Sequence, residues 1–94
     1  AANDLMALGF LDAANISNVR VPGDVSIVGI DDLEDAKSSY PPLTTMHQPV
    51  RKMGEIAAKR LLDWIISQKK PAPLRRLKPK LVERDSVSKG GVYE

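Results

Sequence analysis

The chain reads as an α/β domain built on a parallel sheet, and three features of its 94 residues carry that reading. A stretch from Asp4 to about Ala14 has helical spacing. The turn chemistry Val21-Pro22-Gly23-Asp24 follows, and then comes an unbroken run, Val25-Ser26-Ile27-Val28-Gly29-Ile30, with no polar face to keep wet. A helix, a short turn and such a strand form the αβ half of an alternating unit, whose sheet is parallel and covered on both sides.

The first helix opens on Ala1-Ala2-Asn3-Asp4-Leu5, where an Asn or Asp side chain accepts from the first free backbone N–H groups. Neither an initiator methionine nor a signal sequence stands before it, so a piece of a longer protein is expected. Gly9 is the weak point of the helix. Met6, Gly9, Phe10 and Ala13 define one apolar face, and Leu5, Leu8 and Leu11 a second. Either both faces are core, or Leu5 and Leu8 meet another subunit. Asn15 to Val19 ends the helix.

In an open sheet of this kind ligands bind at the carboxyl ends of the strands. Asp31 lies one residue past Ile30, where its carboxylate can accept hydrogen bonds from a ligand's hydroxyl or N–H groups. A loop carboxylate that caps the next helical turn is the alternative, a role that suits Asp32 before Leu33-Glu34-Asp35. After a polar stretch, Tyr40-Pro41-Pro42 excludes both helix and central strand. Leu43-Thr44-Thr45-Met46 has the β-branched content of a short strand, and His47-Gln48-Pro49-Val50 reads as a crossing segment. His47 has no His, Cys or nearby acidic partner at ligand spacing, so an exposed or hydrogen-bonded imidazole is expected and a metal ligand is not.

Residues 50 to 67 form a longer helix. Val50, Met53, Ala57, Leu61 and Trp64 make its apolar stripe, and Glu55 and Lys59 stand at ion-pair spacing. Trp64 is expected in a core. The run "KKPAP" stops the helix, Leu77 to about Val82 alternates as a strand, and Ser88-Lys89-Gly90-Gly91 reads as a tail.

Composition narrows the chemistry. With 43% hydrophobic and 28% charged residues this is a globular sequence, and no stretch approaches the roughly 20 apolar residues of a membrane helix. The net charge of +2 leaves one basic stretch, Lys69, Lys70, Arg75, Arg76, Lys78 and Lys80, broken by prolines and without an aromatic on which a base could stack. A solvated connector is expected there. The absence of cysteine excludes disulfides and thiolate metal sites and fits a cytoplasmic setting. Asp31 and Asp32 are sequence neighbours whose side chains diverge on extended backbone, and no phosphate loop, nucleophile–base pair or metal set accompanies them. The expectation is a binding protein, not an enzyme, with neither cofactor nor metal.

Five runs, "ANDLMALG" at 2 to 9, "VPGDVSIVGIDD" at 21 to 32, "PPLTTMHQP" at 41 to 49, "MGEIAAKRLLD" at 53 to 63 and "LVERDSV" at 81 to 87, stand in the order and spacing of the C-terminal part of LacI/GalR-family bacterial transcription repressors. The chain resembles that family over nearly its whole length. The resemblance implies part of a type I periplasmic-binding-protein-like fold, with two α/β subdomains, parallel sheets and a small effector in the cleft. It also implies an N-terminal helix-turn-helix and hinge helix, outside this chain, that bind operator DNA as a homodimer.

By motif, Asn3 of "AND" and Asp31 of "GIDD" match positions that hydrogen-bond the effector, and Gln48 of "HQP", near the cleft crossover, is expected to contribute to effector binding as well. Leu8 and Tyr40 match the subunit interface, in agreement with the second apolar face that holds Leu5. Val50 stands where some members have Phe, so an aromatic that stacks on the effector is not assigned. The resemblance places residues 1–46 in the C-terminal subdomain, 47–77 in a crossover and helix of the N-terminal subdomain, 78–87 in a returning strand and 88–94 in a tail. The implied effector is a sugar or related polyol, a purine being the less favoured class, and the implied mechanism is a population shift between two subdomain orientations. A periplasmic or membrane-associated sugar receptor on the same core is the alternative.

Overall fold

The structure, a computed structural model, describes residues 1–73 and 76–90. The chain divides into two compact units, one formed by Ala1–Gln48 with the segment from Lys80 onward, the other by Pro49–Pro79.

The first unit contains α1 (Asp4–Ile16), β1 (Val28–Asp31), α2 (Glu34–Ser38), β2 (Thr44–His47) and β3 (Lys80–Val82). The strands form one sheet in the order β1-β2-β3. β1 and β2 are parallel, with Gly29 beside Thr45 and Asp31 beside His47, and β3 returns antiparallel with Leu81 beside Met46. Parallel neighbours need a crossover, and α2 supplies a short one.

Asn3 caps α1, its side-chain oxygen accepting from the Met6 N–H at 2.9 Å. The buried face of the helix differs from both expected stripes: it is Asp4, Ala7, Leu11 and Ala14. Two alanines let the helix approach the sheet closely, and close approach wins over bulk. Met6 and Phe10 stay 60% and 41% exposed. Ala7, Leu11, Ala36 and Leu43 form the core, with Leu8, Val21 and Ile27 packed against it. Each buried leucine contributes about 1.5–3 kcal/mol. The turn before β1 is clamped by an exposed Arg20–Asp24 pair at 2.8 Å. The side-chain hydrogen bond from Arg20, helped by its backbone N–H, draws the Asp24 carboxyl down to about 2.

Several expectations are corrected. The strand expected from residue 25 begins at Val28, because Ile27 gives its N–H to the Ser86 carbonyl, outside the β1–β2 ladder. β1 is an edge strand, and the sheet is not covered on both sides in this chain. Gly29 and Thr45 face α1, while Val28, Ile30 and Leu81 on the other face are 40%, 37% and 49% exposed. The polar stretch after Asp35 is mostly helix, as α2. β3 is shorter than expected, with Leu77 to Pro79 outside it. Of the expected tail, Ser88 is tied to the turn before β1, its N–H donating to Ser26 Oγ at 3.1 Å. Arg75 of the basic stretch and Gly91 of the tail lie outside the described residues.

The second unit is built on α3 (Val50–Ser67). It ends at Gln68 in the left-handed region (φ 60°), whose N–H donates to the Trp64 carbonyl, and Arg60 donates to the Ala72 carbonyl. None of its residues is buried, and Trp64 is 44% exposed, not the core residue expected. The ion pair is also different: Glu55 meets Arg51 at 3.5 Å, where Lys59 was expected.

Candidate functional site

The carboxyl ends of β1 and β2 lie side by side, and the register that sets Asp31 beside His47 brings two adjacent pairs of functional groups to one edge, Asp31 with Asp32 and His47 with Gln48. Here the backbone leaves its ordinary range. Asp31 has φ 133° and Asp32 φ 62°, conformations that L side chains adopt at a cost of about 1–3 kcal/mol each. Two such residues in succession persist only under outside restraint.

The two carboxylates do diverge. Asp31 Oδ1 accepts from Gln48 Nε2 at 3.2 Å. Asp32 turns to Arg84, whose Nη2 donates to Oδ1 at 2.7 Å, and its Oδ2 lies 3.0 Å from His47 Nδ1. Arg84 is itself fixed: Nη1 donates to the Leu43 carbonyl at 2.9 Å and its N–H to Thr44 Oγ1 at 2.9 Å. Burial alone would push the Asp32 carboxyl up, but the hydrogen bonds and charges of Arg84 and His47 outweigh it and hold it below the usual carboxylate range. Asp32 is therefore not the cap of α2. The residue in the capping position is Leu33, with no side-chain bond. Its N–H donates instead to Asp4 Oδ2 at 2.8 Å.

Asp4, Arg84 and Thr45 are tied to this edge as well; each lies inside one of the five family-like runs, but pattern alone assigns none of them a role at the site. Asp4 is fully buried, and its Oδ1 accepts from Thr45 Oγ1 at 2.6 Å. The signal that could have found it is the spacing of Asp4, Ala7, Leu11 and Ala14, one continuous helical face with a carboxylate at its head. Arg84 lies 52 residues from Asp32, and no local pattern links them.

The structure links Asp31 and Gln48 directly. Asn3 stands at the start of α1, one residue before Asp4, and its side-chain N–H₂ has no partner among the described residues. His47 is hydrogen-bonded and half-exposed, as expected. Leu8 and Tyr40 share an open cavity of about 300 Å³, lined also by Leu11, Asp12, Ser38 and Ser39. Tyr40 is 81% exposed, Leu8 is half-buried on the core, and Leu5 is exposed outside that cavity. No group of three or more His, Cys, Asp or Glu residues that could hold a metal occurs among the described residues.

A sheet that presents a carboxylate and an amide at the ends of its parallel strands has them where open α/β sheets place their ligand crevices. Residues 1–87 match the family of periplasmic binding protein-like domains, and the chain belongs to that family, in its LacI/GalR branch. It is 44% identical to the HTH-type transcriptional repressor PurR of Serratia proteamaculans (strain 568) over 93% of this chain and 26% of that protein. The chain thus spans about a quarter of the length of the curated relatives it matches. Among solved structures it resembles a LacI family transcriptional regulator from Enterococcus faecium with bound ribose, with TM-score 0.85, 33% identity and coverage of 94% of this chain and 33% of that one. It also resembles the dimeric Lac repressor with an 11-residue C-terminal deletion, at TM-score 0.80, 40% identity and coverage of 92% and 31%.

Proposed function

We propose that this chain is the part of a bacterial LacI-type transcription regulator that binds a small-molecule effector and contributes to dimerisation, acting in the cytoplasm and without catalysis of its own. The observation that carries the reading is the Asp31–Gln48 pair at the carboxyl ends of β1 and β2. A carboxylate accepts from two adjacent hydroxyls of a sugar, while an amide beside it donates and accepts. That is the polar half of a polyol site. Asn3 adds an N–H₂ donor from the start of α1. The ribose bound to the Enterococcus faecium regulator supports a sugar effector, and the likeness to PurR makes a purine the class to test against it.

Operator DNA is bound by a helix-turn-helix head elsewhere in the regulator, and the homodimer contact uses Leu5, Leu8 and Tyr40. The exposure of Leu5 and Tyr40 supports that assignment. Residues 47–77 cross to and build on the N-terminal subdomain and 78–87 return, so that an effector held at Asp31 and Gln48 shifts the population of subdomain orientations. Calorimetry on the full-length regulator with D-ribose, other monosaccharides and guanine tests the site. Asp31→Asn should weaken binding by about 2 kcal/mol or more, since it leaves ligand hydroxyls without their charged acceptor. Unchanged affinity rejects Asp31 as an effector ligand.

A further inference from the structure

We infer that Asp4 is the positioning residue of the effector site: one buried carboxylate sets the spacing of Asn3, Asp31 and Gln48 and, through it, the affinity for ligand. The inference rests on the reading of those three residues as ligand contacts.

Asp4 is fully buried, yet both its partners are neutral, the Leu33 N–H at 2.8 Å and the Thr45 hydroxyl at 2.6 Å. A carboxylate without a cationic partner is a costly group to bury, and the positive end of α1 offsets only part of that cost. Gly29 makes the room: a Cβ there would stand 2.2 Å from Asp4 Oδ1. The sequence thus gives up a side chain on the core face of β1 to seat a desolvated charge. Shape alone does not explain the choice: an apolar residue at position 4 would fill the space but leave the Leu33 N–H and the Thr45 hydroxyl without an acceptor, so what the acid supplies is the tie to those two groups.

What the carboxylate does is join three elements, each carrying one ligand contact. Asn3 directly precedes it on α1. The Leu33 N–H that it holds closes the segment Asp31-Asp32, whose φ values of 133° and 62° need restraint from outside. Thr45 lies on β2, three residues before Gln48. Release of Leu33 frees Asp31 to relax its φ, and its carboxylate then swings away from Gln48. Asp4 acts only through these neighbours, with both of its oxygens already bonded inside the core.

The test uses the full-length regulator, with D-ribose and guanine as calorimetric probes at a temperature where every variant is folded by circular dichroism. Asp4→Ala should weaken binding by about tenfold or more. Asp4→Asn should stay within about threefold, because its carbonyl accepts from Leu33 and its N–H₂ donates to the Thr45 hydroxyl. Thr45→Val, which removes one of the two partners, should fall between them, and it decides the question if Asp4→Ala does not fold. In an Asp31→Asn background Asp4→Ala should add less than about twofold, an interaction that general destabilisation would not produce.

A ligand-free measurement runs beside these, the NMR position of the Gln48 side-chain amide, which should move toward that of a free amide in Asp4→Ala and in Asp31→Ala alike, since both remove the acceptor from its place. If Asp31→Asn abolishes binding while Asp4→Ala and Thr45→Val leave it unchanged, the positioning role is overturned and the site stands. If Asp31→Asn leaves binding unchanged, the site reading fails. If neither probe binds, the Gln48 amide decides: a shift in Asp4→Ala upholds the tie, and an unmoved resonance overturns it.

Discussion

Asp32 concentrates the site's electrostatics in one side chain. It is 13% exposed and Arg84 is 14% exposed, so little solvent screens the 2.7 Å contact between them. Arg84→Met should destabilise the fold by about 2–4 kcal/mol near neutral pH, because it leaves a mostly desolvated carboxylate with only His47 beside it. The loss depends on pH with a definite sign. The folded pKa of Asp32 lies below its unfolded value, so the stabilisation is complete above the unfolded value of about 4 and disappears as pH falls through the folded one. Urea titrations at pH 7 and pH 3 should therefore show the gap between wild type and Arg84→Met narrower at the second than at the first. A gap that stays constant would mean that Arg84 contributes packing and not charge.

At the level of elements, α1 and its neighbours separate what local pattern reveals from what only tertiary contact decides. Gly9 is exposed, and a Cβ there meets nothing within 4 Å. Gly9→Ala should stabilise the fold by about 0.5–1 kcal/mol through helix propensity alone, measured as a rise in the urea midpoint with an unchanged slope. The helices α1 and α3 and the strands β1 and β2 were legible because capping, turn chemistry and β-branched content act within a few residues. The Asp31 position was legible too, since a carboxylate that ends an apolar strand has few places to be. The buried face of α1 was not. Leu5, Met6 and Phe10 outweigh Ala7 and Ala14 on any hydropathy scale, yet the sheet selects small residues and one carboxylate. Nor was the Asp32–Arg84 pair, because it is closed by the segment after β3, which comes from the far end of the sequence.

For the molecule as a whole, the open face of the sheet matters most. Val28, Ile30 and Leu81 form an apolar surface on one side of a three-stranded sheet, and β1 adds an edge with unpaired backbone groups. The isolated 94-residue chain should associate with itself at tens of micromolar, seen as species heavier than 10.3 kDa in sedimentation velocity. A monodisperse monomer would show that these surfaces do not suffice to drive association.

Gly29 and Asp4 carry a consequence for how such a chain can change over time. Because the missing methyl at one position is the seat of the acid at the other, Gly29 cannot drift by itself: alanine at 29 evicts the carboxylate, and the acid tolerates only glycine opposite. A library randomised at both codons and selected for folded protein should return paired solutions, glycine with aspartate or asparagine, and alanine with serine or alanine. The mismatched quadrant, alanine with aspartate, should be empty.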